Sequence, residues 1–374
     1  MQRFLTGHAG GPLWRDAADS VLSQLGEVPA EANLGFVYAT DEWADELGAI
    51  AEYLRAWTGV TQWVGTIGAG ICASGVEYHM VPGIAVLVGA FPADAVRLMP
   101  TIEDGVADLR AELGGWYQGR ETVRAVVHGD PRNAAVADHL IENLAAELPD
   151  GFLAGGITST LKRAHPQVAG GVTEGGLSGV LLSGEVPMVS GLTQGCTPIG
   201  PRRRITQADG NALIGLDGRP ALEVFYEDIG ELLARDLDRA AGYIFAGLPQ
   251  GGPDSGDYLV RNVMGVNTDK QVVGIGDEVA SGGEVMFCRR DGNTARDDLQ
   301  RMARETLERA GGDARGGLYF SCLGRGDSLF GEDSNELRLV REELGDIPLA
   351  GFYCNGEIAR DRLYGYTGVL VLFP

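Results

Sequence analysis

The chain lacks a long hydrophobic run, a surplus of positive charge and any cysteine framework, and each absence removes a class of function. No stretch reaches the roughly 18 uninterrupted apolar residues of a membrane span. The first residues, Met1-Gln-Arg-Phe-Leu-Thr-Gly7, have neither the apolar core nor the cleavage site of a secretory signal. A soluble, cytoplasmic protein with no membrane partner is expected. Lys and Arg number 30 against 52 Asp and Glu, a formal net charge of −22, which repels a phosphate backbone or an anionic bilayer. The single basic run, Arg202-Arg-Arg204, is too short for a nucleic-acid patch and reads as a solvated strand end. The five cysteines, at 72, 196, 288, 322 and 354, form an odd set with no Cys-x-x-Cys pair and no histidine at ligand spacing. Neither disulfides nor a zinc site is expected from them. A phosphate loop and a Gly-x-Ser-x-Gly elbow are also missing, and Gly65-Thr-Ile-Gly-Ala-Gly70 does not lead into the amphipathic helix of a dinucleotide fingerprint. No cofactor is expected.

Glycine is abundant: 57 in 374 residues, about twice the usual share of roughly 7%. The glycines punctuate short apolar runs, which points to tight turns and close backbone approaches. Those runs recur. Glu147-Leu-Pro-Asp-Gly-Phe-Leu-Ala-Gly155 and Glu343-Leu-Gly-Asp-Ile-Pro-Leu-Ala-Gly351 lie 196 residues apart and share Glu, Leu, Asp, Leu, Ala and Gly in register. Each follows a helix-patterned stretch and an apolar run, Val123 to Val127 or Leu318 to Cys322, and each precedes a glycine-led run, Gly179-Val-Leu-Leu182 or Gly368-Val-Leu-Val-Leu372. A more degraded copy runs from Gly35-Phe-Val-Tyr38 through Trp63-Val-Gly65 to Gly83-Ile-Ala-Val-Leu-Val88. The repeated unit is strand, helix, strand, strand.

Helical periodicity is clearest over 13–25, 41–58, 93–113, 133–148, 227–241, 295–310 and 332–344. Further strands are expected at 186–192, 212–216, 259–263 and 284–288, with hairpin turns at Asp209-Gly210 and Asp217-Gly218. Crossover units mixed with hairpins imply an α+β fold whose mixed or antiparallel sheets are covered by helices. Two such sheets face to face would make a four-layer αββα sandwich. The turn-rich Gly215 to Ala221 stretch marks a boundary between domains 1–220 and 221–374.

Five short motifs, in this order, resemble one family. They are Gly195-Cys-Thr-Pro198, Gly210-Asn-Ala-Leu-Ile-Gly-Leu-Asp-Gly-Arg-Pro-Ala221, Tyr258-Leu-Val-Arg-Asn262, Phe320-Ser-Cys-Leu-Gly-Arg-Gly326 and Gly351-Phe-Tyr-Cys-Asn-Gly-Glu-Ile358. Over about residues 30 to 372 the chain is similar to the FIST family (F-box and intracellular signal transduction), in both its N-terminal and its C-terminal domain. The resemblance implies a cytoplasmic sensory module that binds a small, amino-acid-like ligand. Because the sequence ends at Pro374, directly after the last strand, the signal is expected to pass to a signalling protein in trans.

The ligand site is sought in loops carried on strand ends. Tyr353, Cys354, Asn355 and Glu357 follow one strand; Cys322 and the glycine-flanked Arg325 follow its neighbour; Gln194 and Cys196 end a third apolar run. Arg325 can fork onto a carboxylate, and Glu357 can accept from an ammonium while Asn355 offers both donor and acceptor. The structural alternative is an Arg325 to Glu357 salt bridge that only orders the loops. On the ligand reading, Arg325→Ala leaves the fold intact. A cysteine-dependent hydrolase or transferase, with Cys196, Cys322 or Cys354 as nucleophile and His79 or His128 as base, is the enzymatic alternative. The tripeptide His128-Gly-Asp130 then aligns with Gly324 to Gly326 of the later copy. A ligand-free interaction scaffold is the third reading.

Overall fold

The structure is a computed structural model that describes residues 3–230, 243–250 and 258–374. The chain forms two compact units, Met1–Thr193 with Arg296–Pro374, and Gln194–Ala295. The boundary expected at 220/221 therefore falls inside the second unit.

In chain order the first unit begins with β1 (Leu5–Gly10), α1 (Trp14–Leu25), β2 (Leu34–Thr40), α2 (Leu47–Thr58), β3 (Gln62–Gly68), β4 (Gly70–Ala73), β5 (Val76–His79) and β6 (Gly83–Gly89). The pattern starts again with β7 (Val96–Ile102), α3 (Ala107–Tyr117), β8 (Val123–Gly129), α4 (Ile141–Glu147), β9 (Phe152–Ile157), β10 (Gln167–Ala169), β11 (Gly171–Thr173) and β12 (Leu177–Ser183), and then β13 (Val189–Gln194). The second unit supplies β14 (Cys196–Pro198), β15 (Arg203–Asp209), β16 (Ala212–Leu216), β17 (Arg219–Pro220), α5 (Ala221–Ile229), β18 (Ile244–Pro249), β19 (Tyr258–Asn267), β20 (Val272–Ile275) and β21 (Glu284–Arg290). The pattern closes with α6 (Gly292–Arg309), β22 (Gly316–Cys322), α7 (Gly326–Phe330), α8 (Asn335–Leu344), β23 (Leu349–Cys354), β24 (Glu357–Ala359), β25 (Arg362–Tyr364) and β26 (Thr367–Phe373).

The three six-stranded sheets of the first unit share one plan. Their orders are β1-β6-β2-β3-β10-β11, β7-β12-β8-β9-β24-β25 and β13-β26-β22-β23-β4-β5. At the centre of each, a helical crossover makes two strands parallel (β2 with β3, β8 with β9, β22 with β23), and an antiparallel strand flanks each pair on both sides. The last hairpin of every sheet comes from another part of the chain: β10–β11 completes the first, β24–β25 the second and β4–β5 the third. Register makes the sheets directly comparable. Gly65, Gly155 and Gly351 face Val37, Val127 and Tyr319, and a Cβ on any of them would lie 1.7, 1.8 or 1.7 Å from the facing carbonyl oxygen. Only glycine permits that approach.

The inner faces of the three sheets meet in one core containing Phe36, Tyr38, Val126, Val180, Phe320 and Phe352. Tyr38, His128 and Phe320 hold the same register position, and their rings sit 5.6, 6.3 and 6.4 Å from one another. The first sheet buries its outer face under α1 and α2, the second under α3 and α4. The α+β class and the mixed sheets hold, but three sheets around one core replace the two facing sheets of an αββα sandwich.

In the second unit β21, β15, β16, β20, β19 and β18 pair in sequence, and β18 pairs back to β21, closing an antiparallel ring that leaves no edge among these strands. Leu222, Phe225 and Ile229 of α5 join its core. The tight turn at Asp217-Gly218 has φ of 52° and 79° at its two central residues, as a two-residue hairpin requires.

The helix expected over 93–113 is half strand. Val96, Met99 and Ile102 are the buried residues of β7, three apart, because its pairing with β12 shifts register between Leu177 and Gly179; that shift imitates helical spacing. Of the helix expected over 227–241, residues 227–229 form the end of α5, and 231–241 lies outside the described residues. Among the described residues no helix is long and apolar enough to cross a membrane.

Candidate functional site

In the third sheet the alternation that places Leu318 and Phe320 in the core turns Tyr319 and Ser321 outward, and Tyr353 of β23 lies opposite Ser321. The first sheet has Val37, Ala39 and Ile67 at these register positions, and the second has Val127, Gly129 and Ile157. Two sheets thus meet their helices through small or apolar residues while the third presents two phenols and a hydroxyl. The difference extends into the connection. From the first strand to its register partner is 28 residues in the first two sheets and 32 in the third. The longer connection holds Arg325 and the one-turn helix α7. It also corrects the alignment of His128-Gly-Asp130 with Gly324 to Gly326: register pairs His128 with Phe320 and Asp130 with Cys322.

These groups converge on Glu336, in the first turn of α8. Its Oε1 accepts from Tyr319 OH at 2.7 Å, Ser321 Oγ at 2.9 Å and Arg325 Nε at 2.7 Å. Its Oε2 accepts from the Gly326 amide at 2.9 Å and Tyr353 OH at 3.4 Å. Gly326 can offer its amide because it sits at φ 49°, with His79 packed where a Cβ would be. From the β4–β5 hairpin that completes this third sheet, Glu77 Oε1 accepts the Leu337 amide at 2.9 Å and caps α8. Its other oxygen lies 2.6 Å from His79 Nε2. Glu77, His79 and Asp327 are one group among the described residues with side chains suited to a metal ion, their ligand atoms lying within 4.8 Å of each other.

Arg325 is fully buried, with its Cζ 5.0 Å from the centre of the Phe330 ring. Burial opposes its charge, but Glu336 and Tyr319 outweigh that penalty and drive its pKa upward. Only Nε is bonded; Nη1 and Nη2 are buried with no partner. In place of the alternative salt bridge to Glu357, Arg325 pairs with Glu336.

Glu357 is buried on β24, where Oε2 accepts from Thr367 N–H at 3.1 Å and Thr367 Oγ–H at 2.8 Å while Oε1 has no partner. Burial pushes its pKa up to about 8, partly offset by Thr367, by the Arg325 charge and by the Cys322 thiol. Cys322 and Cys354 face each other in register on β22 and β23. Burial and then Glu357 raise the pKa of both thiols. All five cysteines are free, Cys322 partly exposed and the rest buried.

The structure thus gathers Arg325 and Tyr353 at Glu336, and Cys322, Cys354 and Glu357 beside them. Asn355 is exposed, and its backbone amide bonds Ile157 O at 2.9 Å. Gln194 and Cys196 belong to the second unit, where both meet Tyr258. Of the histidines weighed as bases, His79 bonds Glu77, and His128 lies 3.3 Å from Tyr38 OH with Nδ1 unpaired. Sequence reading missed Glu336, Tyr319, Ser321 and Glu77. Glu336 was visible as an acid four residues before Val340, on the buried stripe of an otherwise amphipathic helix.

Residues 33–219 match the FIST N domain and residues 221–360 match the FIST C domain. The chain belongs to the FIST family. An uncharacterized protein of Mycobacterium tuberculosis is 32% identical over 366 residues, covering 93% of this chain and 92% of the relative. An uncharacterized protein of Mycobacterium bovis is 32% identical over 385 residues, covering 96% and 94%. FIST domains are generally sensory domains. In this member the Glu336 cluster draws on both matches: Glu77 and His79 lie in the FIST N stretch, and Tyr319, Arg325, Glu336 and Tyr353 in the FIST C stretch.

Proposed function

We propose that this FIST protein is a cytoplasmic sensory module that binds a small carboxylate-bearing ligand at Arg325 and passes the signal to a partner protein in trans. The observation that carries the reading is the pair of buried, unbonded Nη groups on Arg325. Unpaired buried donors are rare because each forfeits its hydration, and a guanidinium fork matches a carboxylate in charge and geometry. The first two sheets pack their helices without such a cluster, so the fold itself has no need of it. A cysteine nucleophile fits less well, since burial holds the Cys322 and Cys354 thiols protonated and a nucleophile needs the thiolate.

The test is thermal unfolding of the purified protein against a panel of amino acids and small carboxylates. A ligand at 100 times its Kd should stabilise the native state by about 2.7 kcal/mol. Arg325→Lys keeps a positive charge beside Glu336 but loses the terminal fork, and should abolish the shift. A panel with no stabilising member, or a lysine variant that responds like the parent, overturns the reading.

A further inference from the structure

A second set of groups, next to the Glu336 cluster, makes no use of the Arg325 fork. Glu77 and His79 of β5 and Asp327 of α7 bring one imidazole nitrogen and two carboxylate oxygens within 4.8 Å of one another. Nε2 of His79 lies 2.6 Å from Glu77 Oε2 and 3.9 Å from Asp327 Oδ1. The Glu77 side chain is 1% exposed, yet among the described residues no arginine or lysine pairs with it or with Asp327. Glu336, the neighbouring buried acid, has Arg325. A buried carboxylate is costly unless it is paired or coordinates a metal, and His79, which does pair with Glu77, is also the commonest metal-binding side chain. The fold does not ask for an acid at this place. Glu77 faces Cys72, which faces Gly351; the same position in the other two hairpins holds Val172, opposite Val168 and Gly65, and Leu363, opposite Ile358 and Gly155. The imidazole is fixed as well. Its ring centre is 4.3 Å from that of Tyr353, and Gly326 leaves room for it, since a Cβ there would lie 2.5 Å from His79 Cε1. A side chain already locked by packing needs little further ordering to hold an ion.

We propose that Glu77 Oε2, His79 Nε2 and Asp327 Oδ1 hold one divalent cation of the zinc class, with solvent in the fourth position. Bonds of roughly 2.0–2.2 Å set tetrahedral ligand atoms about 3.4 Å apart, and the two distances from His79, 2.6 and 3.9 Å, lie on either side of that value. Asp327 is exposed and supplies the adjustment. Glu77 keeps Oε1 on the Leu337 amide, so the helix cap and the coordination use different oxygens. The imidazole keeps its proton on Nδ1 and turns the Nε2 lone pair to the ion. Three protein donors including an imidazole suit zinc better than calcium or magnesium, which take six or more oxygens. The ion ties the β4–β5 hairpin to the connection that carries Arg325, two residues before Asp327.

Calorimetric titration of EDTA-treated protein with Zn²⁺, Mn²⁺ and Mg²⁺ tests the site. One equivalent of Zn²⁺ should bind, more tightly than Mn²⁺ and far more tightly than Mg²⁺. Asp327→Asn removes an exposed ligand while leaving the Glu77 cap and the Glu336 cluster in place, and should weaken Zn²⁺ by about tenfold or more. His79→Gln should weaken it at least as much. Equal urea midpoints for the metal-free parent and Asp327→Asn show that the variant has lost a ligand and not its fold. Co²⁺ bound to the parent should lack thiolate charge-transfer absorption, which keeps the five cysteines out of the site. Absence of Zn²⁺ binding, binding unchanged by either variant, a thiolate band, or a preference for Mg²⁺ overturns the assignment. Neither Nη group of Arg325 takes part, so any of these outcomes leaves the ligand reading to its own thermal panel.

Discussion

Arg325→Ala should cost the protein about 3–5 kcal/mol of stability, the range for removing one partner of a buried ion pair. The pair is fully enclosed on both sides, so its loss cannot be made good by water. The sequence reading expected this substitution to leave the fold intact, on the assumption of a loop arginine in an open cleft. Glu336→Leu should cost at least as much, because it strands a guanidinium, the Tyr319 and Ser321 hydroxyls and the Gly326 amide together. Arg325→Ala would leave Glu336 with four of its five donors, which argues for the lower end of the range. Urea denaturation measures both. A loss under about 1 kcal/mol for Arg325→Ala would mean a pair screened by solvent, and the buried cluster would then be wrong. The same loss explains why a lysine, not an alanine, is the informative ligand-binding variant: it separates loss of the fork from loss of the charge that Glu336 needs.

The sequence shows the parts of this fold more readily than their assembly. Leu153-Ala-Gly155 and Leu349-Ala-Gly351 fall at the same register positions because Gly155 and Gly351 each admit a neighbouring carbonyl at under 2 Å from a would-be Cβ, a constraint that leaves a visible glycine. The hairpin exchange leaves no such trace. Nothing local in Val76 to His79 says that it will finish a sheet whose central strands begin more than 200 residues later, since strand pairing is a long-range choice between similar apolar runs. The site was half visible for the same reason. Arg325 and Glu357 stood out as charges among glycines. Glu336, which holds Arg325, lay in a helix whose other acids face solvent, and only the register comparison with Val37 and Val127 shows Tyr319 to be out of place. The imitation helix at 96–102 failed through a bulge, which changes a period of two into an apparent period of three.

Glu357 and His128 together should contribute a plateau between about pH 4.5 and 6.5, with the Glu357 share of stability falling on its alkaline side and the His128 share on its acid side. Burial raises Glu357 from 4.5 to about 8. Between those values the native protein holds a proton that the unfolded chain has released, so stability declines as pH rises, by about 1.4 kcal/mol per unit. Above 8 the full loss is present; below 4.5 there is none. Burial lowers His128 from 6.5 to about 3. Between those values the unfolded chain takes up a proton that the native imidazole refuses, so stability declines as pH falls, with the same slope. From 4.5 to 6.5 the two slopes oppose and cancel. Glu357→Gln should therefore remove the decline from 6.5 to 8 and leave the variant more stable than the parent at pH 9, by about 3–5 kcal/mol. The amide is tolerable there because Gln167 already occupies the matching position of the first sheet. His128→Gln should do the reverse, flattening the acid limb while keeping a partner for the Tyr38 hydroxyl. Urea midpoints from pH 3.5 to 9 test both. If the curves of Glu357→Gln and the parent run parallel from pH 6.5 to 8, the carboxyl is ionised throughout that window and burial does not raise it.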